Sequence, residues 1–141
     1  MHLEDWSPNT LITPHMATIA CKFFGLTDEA KIYMSDKVIS FYFDGCSSID
    51  DYLKAILQPD DYTTITQLVC RPHDLGYGVC TSAKVRLTAD QRFKSDLTHF
   101  APFLDITQID AAYYMIRRFG TLCPKWSPGF ALLPEHRVKV A

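Results

Sequence analysis

The stretch CRPHDLGYGVC, residues 70–80, brings Cys70, His73, Asp74 and Cys80 together in one short segment. It is the part of the chain where the most chemically able side chains lie close in sequence. One proline and two glycines interrupt it, and these residue types are typical of turns. The stretch therefore predicts a turn, and the interpretation of the surrounding chain depends on it.

The segments that flank this turn predict two paired β-strands. Apolar side chains recur at nearly every second position of residues 78–87, as expected for a half-buried strand. Pairing this segment with residues 63–71 places the apolar side chains of both on one face. The same register sets Cys70 opposite Cys80 on the other face. We therefore predict a hairpin that joins Thr63–Arg71 to Gly78–Leu87.

Helices are predicted chiefly from their ends. Thr13 followed by Pro14 is a typical helix start, and Gly25 is a typical exit. Ser48 with Asp51, and Thr107 with Asp110, have the spacing of a capping box. Pro102 stops or bends a further, less regular helix. The four predicted helices cover residues 14–24, 49–57, 91–104 and 107–119.

Extended segments complete the predicted fold. Val38–Phe43 is rich in β-branched and aromatic residues, and residues 129–133 and 137–140 predict short edge strands. Residues 29–35 fit either a helix or a strand. The pattern favours one α+β domain over residues 1–141, in which an antiparallel or mixed sheet carries about four helices mainly on one face.

Composition bounds the class of protein. The chain has 141 residues, of which 48% are hydrophobic and 21% charged, enough to form one core. It lacks an apolar run that could cross a bilayer, and acidic residues follow Met1, so we expect a cytoplasmic protein. Its five cysteines are odd in number and irregularly spaced, which predicts mostly reduced thiols.

The turn supports four interpretations. Two thiolates and an imidazole, from Cys70, His73 and Cys80, are one ligand short of a closed zinc site, and Asp74, Cys46, Cys123 or water would have to complete it. The cysteines could form a redox pair, if the strand spacing permits a disulfide. His73 could activate a thiolate while Asp74 orients the imidazole. The fourth interpretation, which we favour, is an ordinary turn with buried cysteines.

Charge and aromatic residues point to a binding surface. Residues 1–61 hold ten acidic and four basic side chains, whereas residues 62–141 hold six acidic and ten basic ones. Alternate side chains of a strand face opposite ways, so some aromatic residues need cover from a partner. The candidate binding residues are Tyr42, Tyr77, Lys84, Arg86, Arg117, Arg118 and Trp126.

These features predict a small protein-binding module of the inhibitor, immunity or adaptor type, which occludes a partner protein or pairs with itself as a homodimer. It needs no cofactor. The first alternative is a small enzyme, or a zinc- or thiol-dependent protein, that uses Cys70, His73, Asp74 and Cys80. The second is a single-stranded nucleic-acid binder that uses the face of Lys84 and Arg86. A net charge of −2 disfavours the second.

Overall fold

The computed structural model describes residues 3–122 and 129–137, and over these residues the chain is mostly helical. The one sheet of these residues has two short strands. The predicted α+β fold, with helices gathered on one face of a sheet, is therefore wrong. Helices pack on helices instead, and most of the core lies between them.

The described residues form two short strands and seven α-helices. The strands are β1 (Leu11–Ile12) and β2 (Phe41–Tyr42). The α-helices are α1 (Pro14–Phe23), α2 (Thr27–Tyr33), α3 (Asp50–Ile56), α4 (Pro59–Ile65), α5 (Arg71–Gly78), α6 (Ala83–Phe100) and α7 (Ile106–Leu122). A π-helical turn, Thr66–Cys70, joins α4 to α5, and a 3₁₀ turn covers Pro134–His136.

The predicted hairpin is absent because residues 59–78 form a continuous helical run. Threonine is β-branched and favours strands in isolation. In this run, however, threonine hydroxyls donate hydrogen bonds to backbone carbonyls four residues earlier in the helix. Thr63 donates to the carbonyl of Pro59 at 3.1 Å, and Thr66 to that of Tyr62 at 2.9 Å. Pro72 directly follows the π-helical turn, and since it lies within the helical run its missing N–H removes one backbone hydrogen bond.

Helix α5 lies at the centre of the molecule, and all of its residues are buried. Leu75 packs in an apolar cluster with α1, α2 and β2, while Cys70, just before α5, belongs to a second cluster with α3, α6 and α7. Gly78 allows α2 to approach closely, because a Cβ there would overlap the Tyr33 hydroxyl and come within 3.1 Å of Ala131. Because α5 is buried on every side, it has no solvent-exposed polar face. The alternation of apolar and polar residues that predicts a half-buried strand therefore does not apply to it.

Helix α6 replaces the second predicted strand and the predicted helix over residues 91–104. Its start is set by Ser82, whose Oγ accepts a hydrogen bond from the backbone N–H of Val85 at 3.1 Å. Its buried face consists of Arg86, Asp90, Phe93 and Leu97, spaced four, three and four residues apart.

Of the predicted helix caps, one is confirmed and two are wrong. Thr13 caps α1 through a 3.2 Å hydrogen bond from the N–H of Met16, which confirms the predicted start of that helix. Helix α7 is capped by Asp105 and Gln108, each of which accepts a hydrogen bond from the other's backbone N–H. The predicted caps of Thr107 with Asp110, and of Ser48 with Asp51, are wrong, as is the predicted end at Gly120.

The remaining extended segments form little sheet. β2 lies within the predicted strand Val38–Phe43 and pairs with β1, so that Leu11 lies opposite Tyr42. Residues 129–133 contribute one isolated bridge, Leu132 to Val38, in place of a strand. Most of residues 29–35 are helical, in α2. Of the strand predicted at 137–140, only residue 137 lies within the described residues.

Candidate functional site

The four reactive residues of the opening stretch separate in the fold. Cys70 forms a disulfide with Cys46, with their Cα atoms 5.3 Å apart. Cys80 is a free and buried thiol beyond the end of α5. His73 contacts α6, whereas Asp74 contacts the segment after β2. The predicted pairing of Cys70 with Cys80 is wrong, because a helix, not a turn, separates them.

Asp90 of α6 is the centre of a buried polar cluster. It is 0% exposed, and its Oδ1 lies 2.7 Å from His73 Nε2 and 2.5 Å from the Tyr77 hydroxyl, which donates to it. Arg117 Nη1 donates to Asp90 Oδ2 at 2.6 Å. Arg86 Nη2 lies 3.8 Å from the same oxygen and donates to the carbonyl of Arg117 at 2.7 Å. We call these five residues the Asp90 cluster.

The electrostatics of the Asp90 cluster favour the ionised form of Asp90. Burial on its own would raise the pKa of Asp90, but the hydrogen bonds from His73, Tyr77 and Arg117 outweigh it and hold the pKa below its ordinary value. Burial and the negative charge of Asp90 raise the pKa of Tyr77, which therefore stays protonated as a donor. The cluster thus joins α5, α6 and α7 through the buried carboxylate of Asp90.

An imidazole hydrogen-bonded to a carboxylate also resembles the acid–base pair of many enzymes. Here His73 is 5% exposed, and it does not line any of four surface cavities found among the described residues. Among the described residues, the imidazole is therefore enclosed. The geometry supports an architectural role for the Asp90 cluster, in which one carboxylate faces the guanidinium groups of Arg86 and Arg117.

Asp74 presents the opposite electrostatic situation. It is 2% exposed and accepts a hydrogen bond from the backbone N–H of Asp44, and its Oδ2 has no partner among the described residues. Burial, and then the negative charge of Asp44, raise the pKa of Asp74 well above its ordinary value. The folded protein therefore favours the protonated form of Asp74.

Replacing Asp74 with asparagine is expected to stabilise the protein at pH 7 to 8 by about 1–3 kcal/mol, because the amide stays neutral where a carboxylate would be buried next to Asp44. A raised pKa gives stability that is present below the ordinary aspartate value and lost as pH rises through the folded value. The gap between variant and wild type should therefore grow from pH 4 to pH 8, as measured by urea unfolding. The exposed Asp36→Asn should show no such gap; equal stability of Asp74→Asn and wild type at pH 8 would contradict the prediction.

The predicted binding residues do not form one surface. Tyr77 and Arg86 are buried in the Asp90 cluster, and Arg117 is half-buried beside them. Lys84 is exposed near the start of α6, so Lys84 and Arg86 do not share the exposed face proposed for nucleic acid. Tyr42 is 66% exposed beside Leu11. Of the other two, Arg118 is exposed on α7, and Trp126 lies outside the described residues.

The predicted zinc ligands are likewise dispersed. Within residues 3–122 and 129–137, no three His, Cys, Asp or Glu side chains gather closely enough to hold a metal ion. The disulfide removes the Cys70 thiolate from any ligand set.

Sequence reasoning missed an exposed apolar turn between α6 and α7. Phe103 is 57% and Ile106 75% exposed, and Phe100 is also exposed. We call these three residues the apolar turn. Three large apolar side chains within seven residues around a proline are a sequence signal for such a surface, but the same residues also fit the end of the helix predicted over residues 91–104 and the loop after it.

The apolar turn has a defined backbone. Ala101 and Leu104 are buried in the core between the exposed residues, and the N–H of Leu104 donates to the carbonyl of Ala101 at 3.0 Å. The reciprocal cap of Asp105 and Gln108 then fixes the start of α7. The exposed side chains are therefore presented on an anchored support.

Known proteins offer no match: no family model fits the chain, and no curated sequence or solved structure is significantly similar to it. Function must therefore be argued from the geometry. Across the described residues, no helix has both the length and the apolar character needed to span a bilayer.

Proposed function

We propose that this protein is a small binding module that docks on a partner protein through the apolar turn. The observation that carries the proposal is the exposure of Phe100, Phe103 and Ile106 on a support anchored by Ala101 and Leu104. Large apolar side chains grouped on a surface are typical of interaction sites.

Energetics support docking through these side chains. Full burial of one large apolar side chain contributes about 1.5–3 kcal/mol, and aromatic anchors often dominate interface energies. Because the turn is already held by its cap and its buried residues, little ordering entropy opposes association. Side chains that project from the end of a helical hairpin suit an apolar cleft on the partner, so the module would act by occluding that cleft, as an inhibitor or adaptor does.

The partner of the proposal is a different protein, and a homodimer is the alternative. The enzyme alternative has less support, because the imidazole of His73 is enclosed. The nucleic-acid alternative also has less support, since Arg86 is buried and paired.

We also propose that the protein is located in the cytoplasm. Two buried free thiols, Cys21 and Cys80, are consistent with a reducing compartment. The Cys46–Cys70 disulfide weighs the other way, because disulfides persist mainly in oxidising compartments. In the cytoplasm this bond would depend on the redox state.

A photo-crosslinking amino acid, p-benzoylphenylalanine, tests the proposal. Placed at position 103 in the full chain inside its native cells, it is expected to give one adduct of defined mass. The matched control carries the same group at Phe23, which is 51% exposed on α1, and should not give that adduct. Adding Ile106→Ser to the position 103 protein should reduce the yield about tenfold, a loss within the range for an interface anchor.

The mass of the adduct identifies the partner. An adduct of twice the mass of the chain supports the homodimer, and any other single mass supports a different protein. If position 103 gives no adduct, or the same adduct forms from position 23, the proposal is wrong. Circular dichroism of each variant checks that the helical fold is retained.

A further inference from the structure

A groove of about 430 Å³ lies between α2 and α6, at the far end of α6 from the apolar turn. Asp28 and Glu29 of α2 line one side, and Lys84 and Arg92 of α6 line the other. Lys84 is sixteen residues from Phe100 on the same helix, hence about 24 Å away, and Arg92 is eight residues from it, hence about 12 Å away. The groove is therefore separate from the proposed docking surface.

Small residues form part of the groove. Gly76 of α5 and Ala89 of α6 both line it, and a Cβ on Gly76 would lie 3.4 Å from the Ala89 Cβ. The two helices are thus in close contact at this point, which leaves the volume above them open. A volume of this size is in the range of small-molecule sites.

The charged residues of the two walls differ in whether they already have partners within the protein. Arg92 donates to the carbonyl of Phe24 at 2.8 Å and to Asp96 at 3.2 Å, so it has structural partners. Lys84, Asp28 and Glu29 form no ion pair with any residue in the described part of the chain. These three charges are therefore available to a ligand.

The position of Lys84 is not explained by helix stability. It lies in the first turn of α6, which contains no acidic residue, and a cation there is disfavoured by the helix dipole. Asp28 and Glu29, in contrast, lie in the first turn of α2, where the dipole favours them. A bound anionic group would offset the unfavourable position of Lys84.

From this arrangement we infer that the groove binds a small zwitterion of the amino-acid class, its carboxylate on Lys84 and its ammonium between Asp28 and Glu29. A simple anion would be repelled by the acidic wall, and a simple cation by Lys84. Nucleic acid would bring phosphates against both carboxylates. Only a ligand that carries both charges satisfies both walls.

Isothermal titration calorimetry of the full chain tests the inference, with free leucine and leucyl-leucine as zwitterionic probes. N-acetyl-leucine amide, which lacks both charges, is the matched control ligand. We expect one zwitterion or both to bind and the neutral analogue not to bind. Lys84→Gln should weaken binding about tenfold or more, as should Asp28→Asn combined with Glu29→Gln, because each removes a charge-assisted contact.

Lys31→Gln is the matched control variant, since Lys31 is an exposed lysine on α2 that does not line the groove. It should bind as the wild type does. Leucine and leucyl-leucine separate a ligand of one residue from a ligand of two. Absence of binding by both probes, equal binding of the neutral analogue, or unchanged affinity in Lys84→Gln would each overturn the inference. Photo-crosslinking at position 103 is unaffected by any of these results, so the two proposals fail independently.

Discussion

Replacing Asp90 with asparagine is expected to lower the free energy of unfolding by about 3–5 kcal/mol at pH 7, the range for removing one partner of a buried ion pair. The carboxylate accepts hydrogen bonds from His73, Tyr77 and Arg117, and an amide cannot serve all three. Arg86, itself buried, would also lose its nearest negative charge. Urea unfolding followed by circular dichroism measures the change.

The control is Asp96→Asn, which removes another aspartate of α6. Asp96 pairs with Arg92 near the surface, so its loss should cost less than about 1 kcal/mol. The pH dependence gives a second check. Because the pKa of Asp90 is lowered on folding, its contribution is full above the ordinary aspartate value of 3.8 and is lost as pH falls through the folded value. The gap between wild type and Asp90→Asn should therefore shrink below pH 4. A cost for Asp90→Asn no larger than that for Asp96→Asn would show that the cluster does not hold the helices together.

Two buried aspartates thus have opposite effects on stability. Asp90 is surrounded by donors and stabilises the fold as an anion, whereas Asp74 faces another carboxyl and is less costly when protonated. Substitution by asparagine should destabilise at the first position and stabilise at the second. Burial is common to both residues, so the difference lies in their neighbours.

Features of the fold that depend on neighbouring residues were predictable. Helix α1 was predicted over residues 14–24 and found over Pro14–Phe23, because Thr13, Pro14 and Gly25 act locally. Gly25 has a φ of +74°, the left-handed conformation that a helix exit often needs. Helix α3 was predicted within one residue at each end.

The region between residues 59 and 100 was not predictable in the same way. Its central helix is buried on all sides, so no amphipathic pattern marks it. The helical spacing of Arg86, Asp90, Phe93 and Leu97 was present, but two of the four are charged, and charged residues are usually assigned to the solvent side. The β-branched residues nearby then favoured strands.

The candidate sites likewise depend on contacts between residues that are distant in sequence. The sequence singled out residues 70–80 for their reactive side chains. The segment is important in the structure for a different reason: it forms the buried central helix. His73 and Asp90 are seventeen residues apart in sequence, and only the packing of α5 on α6 brings them together. Likewise the groove charges come from α2 and α6, and no local pattern joins them.

The Cys46–Cys70 disulfide is expected to contribute about 3.5 kcal/mol, the chain-entropy estimate for a closed loop of roughly 25 residues. It links the segment before α3 to the π-helical turn, and both sulfurs lie in the cluster formed with α6 and α7. The double variant Cys46→Ala with Cys70→Ala should lose this amount in urea unfolding, and a phosphine reductant should lower the stability of the wild type to a similar extent while leaving the variant unchanged. Cys80→Ala, which keeps the disulfide, is the control and should retain the response to reductant. If the reductant leaves the unfolding midpoint of the wild type unchanged, then the bond does not constrain the unfolded chain as expected.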